Sequence, residues 1–151
     1  MSDEATIHRP AIGAFRWAGV EPQPYKTEGD APFRAVERHT LFADPALPAH
    51  LRYFEIGPGG YSTLERHAHR HSVMILRGRG RCLVGETIFD VAAHDLVSTP
   101  PWAWHQFRAA PDEPLGFLCL VDAARDRPQT PSAEELAALR ADPTVAAFLE
   151  R

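Results

Sequence analysis

Glu65-Arg66-His67-Ala68-His69-Arg70-His71 is the stretch on which the reading of this chain turns. Three of the chain's 8 histidines fall within five residues here, two positions behind a glutamate. In extended backbone, residues two apart share a face, so Glu65 and His67 project together and a turn near Ala68 to Arg70 returns His71 beside them. Imidazole nitrogens with one carboxylate suit a divalent first-row metal, and the lack of a thiolate cluster argues against a structural zinc site. A solvated histidine-rich loop explains the segment as well, unless a distant ligand joins it. Pro100-Pro101-Trp102-Ala103-Trp104-His105-Gln106-Phe107 offers that ligand, because His105 opens a strand after a rigid double-proline turn.

Around these two segments the chain reads as short apolar runs separated by turn signals. The runs are Leu51 to Ile56, Tyr61 to His67, Ser72 to Leu76, Arg81 to Val84, Thr87 to Val91, Asp95 to Thr99, His105 to Arg108 and Leu115 to Val121. Eight strands at this spacing predict an all-β, antiparallel barrel or sandwich over 49–124. A turn is expected at Gly57-Pro58-Gly59-Gly60. Residues 1–48 carry eight proline or glycine interruptions before Ala46, so long regular elements are not expected there. Phe15, Trp17, Tyr25 and Phe33 mark 1–48 as an irregular arm with short strands, packed on the barrel. In the tail, 125–151, Ser132 and Glu135 form a capping box ahead of Leu136 and Leu139. Asp142-Pro143 opens a second short helix with Val145, Phe148 and Leu149 on one face.

Composition narrows the function. A chain of 151 residues is one domain by length and buries roughly 68–70% of its unfolded surface without staples. The net charge of -4 excludes the basic surface that nucleic acid needs. No apolar stretch nears the ~18 residues of a membrane span. The start, Met1-Ser2-Asp3-Glu4, lacks the features of a signal peptide, and the 2 cysteines make no disulfide framework, so cytoplasm is expected. Cys82 reads as a small buried hydrophobe. Cys119 reads either that way or, if Phe117, Cys119 and Val121 face the interior, as a thiol looking toward the metal cavity. Lys26, the only lysine, reads as an exposed charge or an anion contact, and Arg77 to Arg81 as a strand-turn-strand with solvated arginines. Trp102 and Trp104 wall a pocket or pack on the rim.

The segment from Gly59 to Ala109 resembles the cupin superfamily. Its first motif falls by spacing on Gly59, Glu65, His67, His71 and Gly78, and its second on His94, Pro100, Trp102, His105 and Ala109. Glu65 stands where the family has its first histidine and His71 where it has its glutamate. The resemblance therefore implies a permuted set of three histidines and one carboxylate: Glu65, His67, His71 and His105. The rival set keeps His67, His69 and His105, with Glu65 behind them. His94, Trp102 and Ala109 replace positions that are not ligands. His94 is expected to start a strand, and His8, His39 and His50 to serve surface or packing.

A longer resemblance runs from about Tyr25 to Phe148. Leu51 to Ile56, Ser62 to His67, Leu76 to Gly80, Trp104 to Ala109, Gly116 to Cys119 and Asp126-Arg127-Pro128-Gln129 are similar to the small cupin methylsulfurylases that act on 1-methylthio-xylulose 5-phosphate. The resemblance implies a phosphorylated sugar substrate and loss of its methylthio group to give 1-deoxyxylulose 5-phosphate. It also implies Mn2+ as the metal, with Fe2+, Ni2+ or Zn2+ as alternatives, and glutathione as thiol donor. Cys119 is then the candidate catalytic thiol. An iron dioxygenase and a non-catalytic metal-dependent sensor are the competing functions, and a homodimer is the expected assembly.

Overall fold

Eleven strands and two helices order residues 8–26 and 32–150, the part of the chain that the computed structural model describes. The acidic start at Met1 to Glu4, which bore on the expected compartment, lies outside these residues. The strands are β1 Ala11–Gly13, β2 Arg16–Trp17, β3 Gln23–Pro24, β4 Arg34–Ala43, β5 Ala49–Tyr61, β6 His71–Arg77, β7 Arg79–Val84, β8 Thr87–Ala92, β9 Leu96–Thr99, β10 His105–Ala109 and β11 Leu115–Asp122. Two helices follow, α1 Ala133–Arg140 and α2 Pro143–Leu149.

Nine of the strands form one antiparallel sheet in the order β8-β7-β10-β5-β11-β6-β9, with β4 added to β5 and β3 to β4. The sheet curls into a half-barrel, and alternation decides what enters it. Val36 of β4, Phe54 and Ile56 of β5, Val73 and Ile75 of β6, and Phe117, Cys119 and Val121 of β11 join one buried cluster. Phe117 stacks on Phe54 and Phe107 at centroid distances of 5.6 and 4.8 Å. Full burial of each large apolar side chain here stabilises the fold by about 1.5–3 kcal/mol. The opposite face of β4 and β5 carries His39 and Tyr53, both fully buried under the β1–β2 hairpin, where Phe15 stacks on Tyr53 at 5.5 Å. A second cluster joins Leu64 and Leu83 to Leu139, Val145, Phe148 and Leu149, which holds the two helices against the sheet. The capping box at Ser132 and Glu135 is formed, and Asp142 caps α2 ahead of Pro143.

Four local expectations are corrected. The arm supplies a ten-residue strand, β4, because no proline or glycine interrupts Phe33 to Ala43 and its apolar residues alternate. Gly57 to Gly60 is no turn but a bulge inside β5: Val36 pairs with Ile56 while Arg34 pairs with Tyr61. A side chain at Gly60 would place Cβ 2.5 Å from the Arg34 carbonyl oxygen, so the bulge requires its glycine. Tyr61 to His67 is not a separate strand, since Tyr61 ends β5 and the next six residues make only isolated bridges at Glu65 and Arg66. His94 starts no strand; it sits in a turn at φ 78°, and β9 begins at Leu96.

Candidate metal centre

The histidines come from three backbone positions that other bonds fix. Glu65 and His105 form a two-way bridge, with the Glu65 N–H donating to the His105 carbonyl at 3.2 Å and the His105 N–H to the Glu65 carbonyl at 3.0 Å. His67 follows two residues later, its carbonyl accepting from the Trp102 N–H at 2.8 Å. His71 opens β6, opposite Val121 on one side and Thr99 on the other. Extended backbone at 65–67 and a turn over 68–70 thus serve as the alternation argument requires, without a continuous strand.

One nitrogen each of His67, His71 and His105 lies within 4.8 Å of the other two. The partners of the remaining nitrogens show which lone pairs are free. His67 Nδ1 donates to the His69 carbonyl at 2.7 Å, and His105 Nδ1 to the Ala103 carbonyl at 3.0 Å, since a carbonyl can only accept. Each tautomer then leaves Nε2 as a free donor to a metal. His71 Nε2 lies 3.3 Å from His105 Nε2, and its buried Nδ1 has no hydrogen-bond partner. Burial, followed by the neighbouring imidazoles, pushes His71 down to about 2. Burial likewise pushes His105 down to about 4, against the opposing Ala103 carbonyl and Glu65, and it lowers His67. At neutral pH all three are uncharged, as ligands must be. Neutral imidazoles with converging lone pairs, two of them on buried residues, fit a divalent cation.

Glu65 and His69 stand differently. Glu65 is buried, with Oε1 4.0 Å from His105 Nε2 and Oε2 in an ion pair with Lys26. Of the two readings of Lys26, the exposed charge fails: its side chain is 17% accessible and neutralises the carboxylate behind the histidines. His69 lies outside the three-histidine group. Its ring stacks flat on His67, centroids 3.7 Å apart and 1° from parallel, and its Nδ1 bonds Asp126 Oδ1 at 2.8 Å.

Asp126 also accepts from the backbone N–H of Ala68 at 2.8 Å and of His69 at 2.9 Å. The Ala68 N–H, with those of His69 adding to it, holds this carboxyl well below the usual carboxylate range. Asp126 thus clamps His69, and His69 in turn clamps His67 by stacking and by its carbonyl. Replacing Asp126 with alanine should weaken divalent-metal binding about 10–100-fold while leaving the fold intact, as loss of an outer partner does elsewhere. Calorimetric titration with Mn2+ measures it.

A cavity of about 1270 Å³ opens from the histidines along the interior face of β4, β5 and β11. Cys119 lines it, buried, and accepts a weak bond from Arg52 Nη2 at 3.8 Å. Burial pushes its thiol up, and Arg52 opposes that rise. Cys82 faces the apolar core, where burial pushes its thiol up to about 12. Trp104 packs under the Arg66 guanidinium at 4.4 Å, and Trp102 is half exposed on the rim; neither lines the cavity. Sequence reasoning gives no role to Asp126 or Arg52, because each lies far along the chain from the histidines.

Residues 52–121 match the family model described as Cupin domain. Over 149 residues the chain is 58% identical to the 1-methylthio-D-xylulose 5-phosphate methylsulfurylase of Rhodospirillum rubrum, covering 99% of this chain and 96% of the relative. The chain belongs to the cupin family. This cupin is also similar to a cupin 2 conserved barrel domain protein from Rhodopseudomonas palustris, with TM-score 0.90, 58% identity and coverage of 95% of this chain and 99% of that one. A polyketide cyclase from Streptomyces resistomycificus shares the fold at 18% identity and TM-score 0.69, over 87% of this chain and 94% of its own. The cupin motifs explain four unusual backbone angles. Gly59, Gly78, His94 and Trp102 occupy the motifs' glycine positions and all keep positive φ, at 69°, 80°, 78° and 64°. His94 and Trp102 hold that turn at a cost of about 1–2 kcal/mol each.

Proposed function

We propose that this cupin removes the methylthio group from 1-methylthio-xylulose 5-phosphate to give 1-deoxyxylulose 5-phosphate, with manganese as its metal and glutathione as thiol donor. The observation that carries the reading is the meeting of a buried thiol, Cys119, and three neutral histidines in one cavity, in a chain 58% identical to a methylsulfurylase. His67, His71 and His105, with Glu65 completing the charge, would hold the cation, and Lys26 would steady Glu65. A divalent cation there supplies Lewis-acid stabilisation of negative charge on the sugar's oxygens.

The protein's own groups account for the rest. Cys119, as thiolate, attacks the methylthio sulfur; a sulfur–sulfur bond forms, and the carbon 1–sulfur bond breaks with its electron pair passing to carbon 1, beside the ketone. A proton at carbon 1 completes the deoxy sugar, so the carbon is reduced and the Cys119 sulfur oxidised to a methyl disulfide. Glutathione thiolate then attacks that disulfide, returning the Cys119 thiolate and leaving as the mixed methyl disulfide. Arg52 beside Cys119 favours the thiolate against burial. Phe54, Phe107 and Phe117 around the cavity keep water from the carbanionic carbon.

Anaerobic incubation of the manganese-loaded protein with the sugar phosphate and glutathione should yield 1-deoxyxylulose 5-phosphate. No product overturns the reading, and iron-dependent consumption of oxygen would support a dioxygenase. Cytoplasmic placement accords with two free thiols, and among the described residues no helix is long and apolar enough to cross a membrane. A homodimer belongs to the same proposal: Phe42, Met74, Leu96 and Leu120 lie exposed on the sheet's strands, apolar surface that a second copy would cover.

A further inference from the structure

Beyond Cys119, four arginines line the cavity, Arg38, Arg52, Arg125 and Arg127, and the first three of them lie close enough to feel one another's charge. Arg38 on β4 and Arg52 on β5 share the interior face: Arg52 pairs in register with Thr40, two residues from Arg38, and with Cys119 on its other side. Arg125 follows β11 and reaches the same cavity at its open end. Their polar contacts are to neutral groups. Arg38 Nη2 donates to Gln23 Oε1 at 3.1 Å, Arg52 Nη2 to the Cys119 sulfur at 3.8 Å, and Arg125 Nη1 to His50 Nδ1 and the Asp122 carbonyl at 3.1 and 3.0 Å. Among the described residues, the buried Nε groups of Arg38 and Arg52 find no hydrogen-bond partner.

Among the described residues, Arg16, Arg66, Arg77, Arg79 and Arg81 each lie within 4.0 Å of a carboxylate, whereas Arg38, Arg52 and Arg125 do not. Like charges crowded without a counter-ion repel one another. Burial, then Arg52, lowers Arg38, and burial, then Arg52 and Arg38, lowers Arg125, so the three sense each other's charge. An isolated surface arginine needs no ligand; the buried Nε donors of Arg38 and Arg52, facing a cavity, do.

We propose that Arg38, Arg52 and Arg125 form an oxyanion subsite that takes the phosphate monoester of the substrate and so fixes the sugar between the metal histidines and Cys119. The carrier of that phosphate rests on the methylsulfurylase reading; the anion site itself rests on the arginines. Guanidinium forks present paired donors to the several oxygens of a phosphate dianion, and a dianion balances three cations better than a single carboxylate would. Adjacent strands lie about 4.8 Å apart, so the step from His71 on β6 across β11 to Arg52 on β5 is about 10 Å, on the scale of a five-carbon sugar phosphate.

The test uses Arg38→Gln, Arg125→Gln and the double variant of the manganese-loaded full chain, leaving Arg52 in place because it touches Cys119. Inorganic phosphate is titrated calorimetrically into each protein, and KM is measured for the sugar phosphate and for glutathione. The double variant should bind phosphate at least tenfold more weakly and show a tenfold or greater rise in KM for the sugar phosphate, with kcat and the KM for glutathione little changed. The same sugar without its phosphate should be handled alike by wild type and variants. Phosphate affinity that is unchanged in the double variant, as for an anion held by the metal alone, overturns the subsite. A rise confined to the KM for glutathione also overturns it, assigning the arginines to the thiol donor's carboxylates. Should wild type fail to turn over the sugar phosphate, the methylsulfurylase reading falls and the phosphate titration still decides the subsite. Arg125→Gln, at an exposed position, serves alone if Arg38→Gln does not fold.

Discussion

His71→Ala should lose its metal: a divalent-ion affinity reduced by more than about 100-fold, and a purified protein nearly free of metal by elemental analysis. Loss of a direct ligand is expected to exceed the 10–100-fold cost of losing an outer partner. The prediction is sharp because His71 and His69 compete for the same role in sequence and are separated in space. His71 Nε2 sits 3.3 Å from His105 Nε2, while His69 spends its Nδ1 on Asp126 and its ring face on His67. His69→Ala should therefore retain metal, weakened only as far as His67 is loosened. Wild-type metal content in His71→Ala, with loss in His69→Ala, would replace the ligand set Glu65, His67, His71 and His105 with the rival one.

The second large effect is on turnover. Cys119→Ser should reduce kcat by at least about 10³-fold with metal content unchanged, because an alkoxide at this position is far less accessible than a thiolate and forms no disulfide. Burial holds the thiol up, so kcat in the wild type should climb as pH rises above neutrality, the ionised fraction growing with it. In Arg52→Gln the climb should move to higher pH, since the group opposing burial is gone. A Cys119→Ser enzyme with wild-type kcat would show that glutathione attacks the substrate directly, with Cys119 as a wall of the cavity.

Those expectations were legible in different degrees. Alternation and two spaced motifs placed His67, His71 and His105 together because each lies at a point where backbone geometry is tightly set: the Glu65–His105 bridge, the start of β6 and the start of β10. Strand β4 escaped because proline and glycine density was counted over the whole arm, while the alternating window from Arg34 to Ala43 is free of both. The Gly57 to Gly60 bulge reads as a turn because the same residues permit both, and only pairing with β4 decides between them. Asp126 lies 57 residues from His69, and the arginines come from β4, β5 and the chain after β11. Their roles follow from the curl of the sheet, which no local pattern encodes. The burial of Lys26 is hidden for the same reason: a lone lysine carries no local sign that a carboxylate 39 residues away will be buried against it.

Arg125 and Asp126 are neighbours in sequence with opposite duties, one turned to the cavity's arginines and the other to the loop of His67 and His69. Two consecutive residues share one stretch of backbone, so freedom gained at one is gained at the other. An anion that immobilises Arg125 would also quiet Asp126 and slow escape of the cation, and by thermodynamic reciprocity the cation would tighten the anion. On that account cargo and metal are held by a single latch, and a resting enzyme would exchange its metal faster than a working one.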